Sequence, residues 1–305
     1  MKTKNVNVVK LQLPKKAAFT IPTDDEFIKL HTLMVLNAKR GGGKTLNLCN
    51  FLKVARDKNY YDKIFCITPS YNSNKEILDI AYIQEEDVIE PTKDSINEVL
   101  KRCEREKEEW DEFVVKKELY KKFKNDISKK NYLKHLDGDD IDLYEDLGFF
   151  NEPPEWKYPI EQPPRLAIIL DDCLNTDVMA CRTSGLVNLC IRHRHVLDGL
   201  GVSVFMLVQS YCANGGVPRV IRENTTHLLL FKINQENQIK KIKEECDLPV
   251  TDEEFDELLK TCHSEDYQFL LIDFAAKCKT KMFRKGWNEY LIPPSLEGKC
   301  MCNKK

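Results

Sequence analysis

Short apolar runs recur along the chain, each ending at a polar or small residue. Leu33–Asn37, Lys63–Thr68, Leu166–Leu170, Val202–Val208, His227–Phe231 and Tyr267–Ile272 are five to seven residues long, and Lys281–Arg284 is a shorter candidate. Runs of this length without strict alternation predict strands buried on both faces. Helical patterns lie between them, from Lys44 to about Asp57, over Gln235–Cys246 and over Asp252–Cys262. Strands alternating with helices predict an α/β fold with a mostly parallel central sheet flanked by helices. No internal repeat is present.

The rhythm stops between about Asp94 and His135. From Lys101 to Lys130, 19 of 30 residues are charged, and neither Gly nor Pro interrupts them. This predicts one long helix or a helical hairpin, serving as a solvated face or a partner-docking arm. Its basic half (Lys116, Lys117, Lys121, Lys122, Lys124, Lys129, Lys130) could alternatively meet phosphate. An acidic linker (Asp137–Asp146) and a Pro-rich one (Pro153, Pro154, Pro159, Pro163, Pro164) follow. The expected organisation is an N-terminal arm over 1–30 carrying Lys2, Lys4, Lys10, Lys15 and Lys16. A domain over 31–290 follows, with the charged helical segment inserted at about 94–150, and then a tail over 291–305.

Composition narrows the function classes. The 305 residues are 42% hydrophobic, enough for a sizeable core, and the net charge of -2 gives no global basic signature. Binding to nucleic acid would therefore need a local patch or an assembled ring. No apolar run has the length of an integral membrane span, and the N-terminal lysines precede no apolar stretch of the signal-peptide kind. The 12 cysteines, mostly scattered, are expected to be reduced thiols. Cys300 and Cys302 with a distant His would make only a weak zinc pattern.

The strongest motif is Ala38-Lys39-Arg40-Gly41-Gly42-Gly43-Lys44-Thr45. It fits GxxxxGK[ST] except that Ala38 replaces the first glycine. Glycines permit positive φ and close backbone approach, so successive N–H groups can converge on phosphate oxygens. The following helix N-terminus adds partial positive charge. Lys44 is positioned to reach the β and γ phosphates of ATP, and Thr45 to hold Mg2+. Ala38 is tolerable if that position keeps an ordinary φ.

Such a loop needs an acidic partner at the end of a buried strand. Leu166–Leu170 ends in Asp171 and Asp172. Asp171 is expected to order the water shell of Mg2+, and Asp172 to polarise the attacking water. Gln209 closes the next apolar strand and can sense the γ-phosphate or position water. Arginines able to act on a neighbour's nucleotide are Arg192 and Arg194 in Ile191-Arg-His-Arg-His195, and Arg219 and Arg222 in Val217–Asn224. Of these, Arg194 and Arg222 are the candidates taken forward.

Taken together, AKRGGGKT at 38–45, LAIILDD at 166–172, RHRH at 192–195, VFMLVQS at 204–210 and VPRVIREN at 217–224 resemble the FtsK/HerA superfamily of DNA-pumping ATPases. The resemblance is narrower to the genome-packaging ATPases of poxviruses, other large DNA viruses and virophages. FLLIDF at 269–274 and FRKGW at 283–287 share that look. The resemblance implies a RecA-like P-loop NTPase forming a homo-oligomeric ring, a hexamer, around double-stranded DNA. It further implies a capsid or portal-vertex partner, and work in the host cytoplasm (virus factory) and the virion. Ala38, Asp172 where many relatives carry Glu, and the charged insertion depart from the pattern.

A partition-type or cargo-positioning ATPase, acting as a dimer, is the alternative. Lys39 lies where that group carries a second lysine, but Arg40 stands where its next residue is glycine. A GTP switch is disfavoured because Asn74-Lys75 is followed by Glu-Ile rather than by the aspartate that reads guanine. A small-molecule kinase would need an acceptor pocket and lid arginines, neither of them evident.

Overall fold

The computed structural model describes residues 27–128, 138–179, 185–212, 216–233 and 236–298. The chain divides into a unit of residues 1–30 and a unit of residues 31–305; the second carries everything that follows. The lysines expected in the N-terminal arm, Lys129 and Lys130 of the basic half, and Cys300 with Cys302 lie outside the described residues.

Nine strands form one sheet: β1 (Leu33–Asn37), β2 (Lys63–Ile67), β3 (Val88–Ile89), β4 (Leu166–Asp171), β5 (Val202–Val208), β6 (His227–Phe231), β7 (Phe269–Asp273), β8 (Phe283–Lys285) and β9 (Glu289–Leu291). Their spatial order is β3-β2-β4-β5-β1-β6-β7-β8-β9. Every pair from β3 to β6 is parallel, and β7, β8 and β9 add an antiparallel edge. The fold is thus the α/β architecture expected, with a mostly parallel sheet between helices. The inner strands β1, β4, β5 and β6 are buried at every position, as strands covered on both faces must be.

Side chains alternate between faces along each strand. On one face Leu33, Val35, Ile168, Leu170, Val204, Met206, Leu228 and Leu230 join a core with α5 (Leu186–Arg192), α6 (Arg219–Asn224), α7 (Glu236–Cys246) and α8 (Asp252–Cys262). On the other face lies α1 (Lys44–Asp57). There Phe51 stacks on Trp287 at 4.3 Å between ring centres and meets Phe205 of β5 at 6.4 Å. The helix that follows the glycine loop is therefore wedged between the sheet centre and the turn joining β8 to β9. A second helix, α2 (Tyr71–Ile80), accompanies α1.

The charged segment is one unbroken helix, α3 (Ser95–Ile127), of 33 residues and about 50 Å. Its first turns bury Ile96, Val99 and Cys103 in the main core. Farther out it builds small cores of its own. Trp110 and Phe113 pack on Trp156 at 5.0 and 5.3 Å. Phe123 packs on Tyr144 of α4 (Gly138–Asp146) at 5.1 Å and on Phe149 at 5.8 Å. Three of the basic residues are already paired, Lys117 with Glu161, Lys121 with Glu118 and Lys122 with Asp140. Eight described cysteines are free thiols, whereas Cys278 is disulfide-bonded, which corrects the expectation of reduced thiols at that position. No helix among the described residues is long and apolar enough to cross a membrane.

A polar tie closes the end of the sheet where β1 and β6 begin. The Thr32 hydroxyl lies 2.7 Å from His227 Nδ1, and His227 Nε2 lies 3.3 Å from Asp273 Oδ1 on the opposed strand. Burial pushes the Asp273 carboxyl up, but His227, the Ala275 amide and Arg284 outweigh burial and hold it below its usual range. A carboxyl depressed in the folded state stabilises the fold above its unfolded pKa of about 3.9, and that stability is lost as pH falls through the folded value. In urea titrations at stepped pH, the wild type is therefore expected to lose stability below about pH 4, and Asp273→Asn to start lower and lose less. Parallel pH profiles would show that this tie does not contribute.

Candidate functional site

In a parallel sheet, ligands sit outside the carboxyl ends of the strands. Three segments of different sequence position meet there. The loop of residues 38–43 leaves β1, Gln209 follows β5, and Asp171 with Asp172 ends β4. Strand order makes this meeting: β5 lies between β1 and β4, so Gln209 emerges between the loop and the two carboxylates.

The loop has the shape its glycines allow. Gly41 and Gly43 take φ of 74° and 80°, values costly for any residue with a Cβ. The Gly42 amide donates to the Lys39 carbonyl at 3.0 Å, and the Asn47 amide to Gly43 at 2.9 Å, opening α1. Ala38 is buried, and its amide donates to the Val208 carbonyl at 3.0 Å, continuing the ladder with β5. It is absent from the residues with positive φ, so a methyl group is accommodated where the motif has glycine. The Lys44 side chain is buried, while those of Lys39 and Arg40 are exposed. The cradle proper is therefore backbone from Gly41 to Thr45.

The Thr45 hydroxyl donates to Asp171 Oδ2 at 3.2 Å, spanning 126 residues of sequence. Asp171 is 2% exposed. Burial raises its carboxyl pKa, and the Lys44 charge and the Thr45 hydrogen bond oppose that rise without cancelling it. A buried carboxyl oxygen beside a hydroxyl oxygen is a donor set suited to a hard divalent cation such as Mg2+. Among the described residues, no cluster of three or more His, Cys, Asp or Glu side chains could hold a metal by itself.

Asp172 is exposed, and its backbone takes a φ of 54°. Left-handed conformations at non-glycine residues concentrate at functional sites. The twist carries the second carboxylate away from the buried position of Asp171. Gln209 Nε2 donates to Asp172 Oδ1 at 2.9 Å, so the expected sensor and the expected base touch each other directly.

The two arginines taken forward do not join this group. Arg194 is exposed and follows α5 at the opposite end of the sheet, where the Val202 amide donates to the His193 carbonyl at 2.7 Å. The seven residues of β5 separate the two ends by roughly 20 Å. Arg222 is held within its own chain: it pairs with Glu245 at 2.7 Å, donates to the carbonyls of Val217 and Tyr211, and its guanidinium stands 5.6 Å from the centre of the Tyr211 ring. Arg219 pairs with Glu223 at 2.8 Å. Pattern reading missed Asn47, whose side-chain amide donates to the carbonyls of Gly43 at 3.0 Å and Tyr267 at 3.3 Å. A polar residue in the first turn after GKT was the available signal.

A glycine loop after the first strand of a mostly parallel sheet, with a buried carboxylate and an amide-restrained one beside it, is an arrangement chemically suited to a phosphorylated ligand and a cation. No family model matches the chain, and no curated protein matches it. Among solved structures, the chain is similar to the genome packaging NTPase B204 from Sulfolobus turreted icosahedral virus 2 in complex with ATP-gammaS. The identity is 10%, the TM-score 0.42, and the match covers 87% of this chain and 100% of that one. The same protein in complex with AMPPCP matches at 11% identity and a TM-score of 0.41, over 85% of this chain and 98% of that one. The pCW3 conjugation coupling protein TcpA, monomer form with ATPgS, matches at 13% identity and a TM-score of 0.38, over 85% of this chain and 61% of that one. These are distant likenesses.

The loop geometry gives a graded prediction. A Cβ on Gly43 would lie 2.9 Å from Tyr267 Cδ1 and 3.3 Å from Asn47 Nδ2, whereas one on Gly41 meets nothing within 4 Å. Both substitutions strain the backbone, by about 1 kcal/mol, but only Gly43→Ala also collides. Calorimetric titration with ATPγS is expected to show a loss of affinity several-fold larger for Gly43→Ala than for Gly41→Ala. Equal losses would mean that the side of the cradle facing Tyr267 is unimportant.

Proposed function

We propose that this chain is an ATPase motor that translocates double-stranded DNA, packaging a viral genome into a preformed capsid. The observation that carries the ATPase part is the convergence of Thr45 on Asp171 and of Gln209 on Asp172 at one sheet edge. The motor part rests on the succession of sequence motifs, from the glycine loop through the acidic strand, the Arg-His segment and the Gln-ending strand to IREN.

In this reading the cradle of Gly41–Thr45 binds the phosphates of ATP, and Lys44 neutralises charge on the β and γ groups. Bound Mg2+, held by Thr45 and through water by Asp171, would add charge neutralisation at the phosphoryl oxygens. Asp172 accepts a proton from the attacking water. Gln209 donates to Oδ1 of that carboxylate and so fixes its orientation, leaving Oδ2 to meet the water. In the same reading Gln209, at the end of β5, senses the γ-phosphate or positions the water while steadying the base.

Arg194, exposed at the far end of the sheet, is the better placed of the two arginines to reach a neighbour's nucleotide in a ring. Arg222 could act in trans only after leaving Glu245. We further infer a hexameric ring, a capsid or portal-vertex protein as docking partner, and a place in the host's virus factory and in the virion. The reading as a partition-type dimer has no comparable support, since Arg40 is exposed and fills the position that pattern reserves for glycine.

ATP turnover, measured with and without duplex DNA and with oligomeric state followed by light scattering, tests the reading. Expected are a ring and DNA-stimulated turnover that tolerates any sequence but falls with salt. Lys44→Ala should abolish turnover, and Asp172→Asn should lower it by roughly 100-fold or more. Full activity of Lys44→Ala would refute the site. A dimer whose turnover ignores DNA would refute the motor.

A further inference from the structure

We propose that Tyr267 is the platform on which the base of the nucleotide stacks, so that the phosphates lie in the cradle and the base lies over this ring. The inference rests on the cradle being the phosphate site. Tyr267 is 65% exposed, although a Tyr ring carries a large apolar surface that usually finds cover. It is also held in an unusual way. Its backbone takes a φ of 64°, a conformation uncommon for a bulky residue and costing on the order of 1 kcal/mol.

One side chain couples this residue to the cradle. The Asn47 amide bridges the carbonyls of Gly43 and Tyr267 at 3.0 and 3.3 Å. The ring edge lies against Gly43, so close that a Cβ there would come within 2.9 Å of Cδ1. The ring therefore sits beside the last glycine of the phosphate cradle, with much of its surface open to solvent. A cavity of about 370 Å3 lies between the outer loop residues Lys39–Gly42 and the segment Glu265–Gln268, with Tyr267 in its wall. That volume is within the range of small-molecule sites, roughly 300–1,000 Å3.

Stacking accepts any planar base, and the wider π-surface of a purine gains more from it. The platform thus gives purine nucleotides an advantage without reading the base edge, and it explains why an exposed aromatic is fixed in a costly conformation next to a phosphate loop.

The test compares Tyr267→Ala and Tyr267→Phe with the wild type in two titrations, one with Mg·ATPγS and one with Mg·tripolyphosphate, which has no base. Stacking is expected to make Tyr267→Ala lose about tenfold or more in ATPγS affinity. Its tripolyphosphate affinity should stay unchanged, and Tyr267→Phe should bind both probes like the wild type. Equal losses for both probes would overturn the proposal, since Tyr267 would then act only by supporting the loop. No loss for either would overturn it as well. A wild type that binds neither probe would instead refute the phosphate cradle itself, and the platform with it.

Discussion

A buried carboxylate reaching across the sheet edge to a threonine hydroxyl is the constraint on which the rest of the site depends. Asp171 is almost fully enclosed, and Thr45 and Lys44 are the groups that offset the cost of enclosing it. Burying a charge is tolerable only with such compensation. The pairing fixes the start of α1 against the end of β4, although two other strand-ends intervene in the sequence and β5 intervenes in space. The clamp of Phe51 between Phe205 and Trp287 holds the same helix farther along. The glycine loop is thus a bridge between two anchored elements, which is how a flexible sequence can present a fixed cradle.

Much of this was legible in the sequence, and the reasons differ by element. Leu33–Asn37, Val202–Val208 and His227–Phe231 fall where their apolar runs predict, because strands covered on both faces have few alternatives. The strand expected at Tyr267 begins at Phe269 instead, since the positive φ of Tyr267 is incompatible with a strand. Edge strands β3 and β9 and the short helices α5 and α6 left no clear pattern, having too few residues to show a period. The pattern 94–135 allowed a single helix or a hairpin. The aromatic pairs Trp110/Phe113 and Tyr120/Phe123 recur along it and are what the satellite cores are built on.

The site was legible as a set of residues but not as a set of contacts. Glycine loop, Asp171, Asp172 and Gln209 could be picked out by type and position. That Gln209 restrains Asp172 could not, because it depends on β4 and β5 being neighbours and on a left-handed turn at Asp172. The same limit applies to Arg222. Nothing in the segment 217–224 signals Glu245, which approaches from α7 and engages the guanidinium. A residue type that suits catalysis in trans thus serves as an internal tie in this conformation.

The most direct test of the account is a structure of the protein with Mg2+ and ATPγS. Expected are the thiophosphate within the backbone cradle of Gly41–Thr45, the cation on the Thr45 hydroxyl with Asp171 facing its water shell, and Asp172 and Gln209 facing the γ-thiophosphate. A nucleotide bound elsewhere, or a cation held away from Thr45 and Asp171, would contradict it.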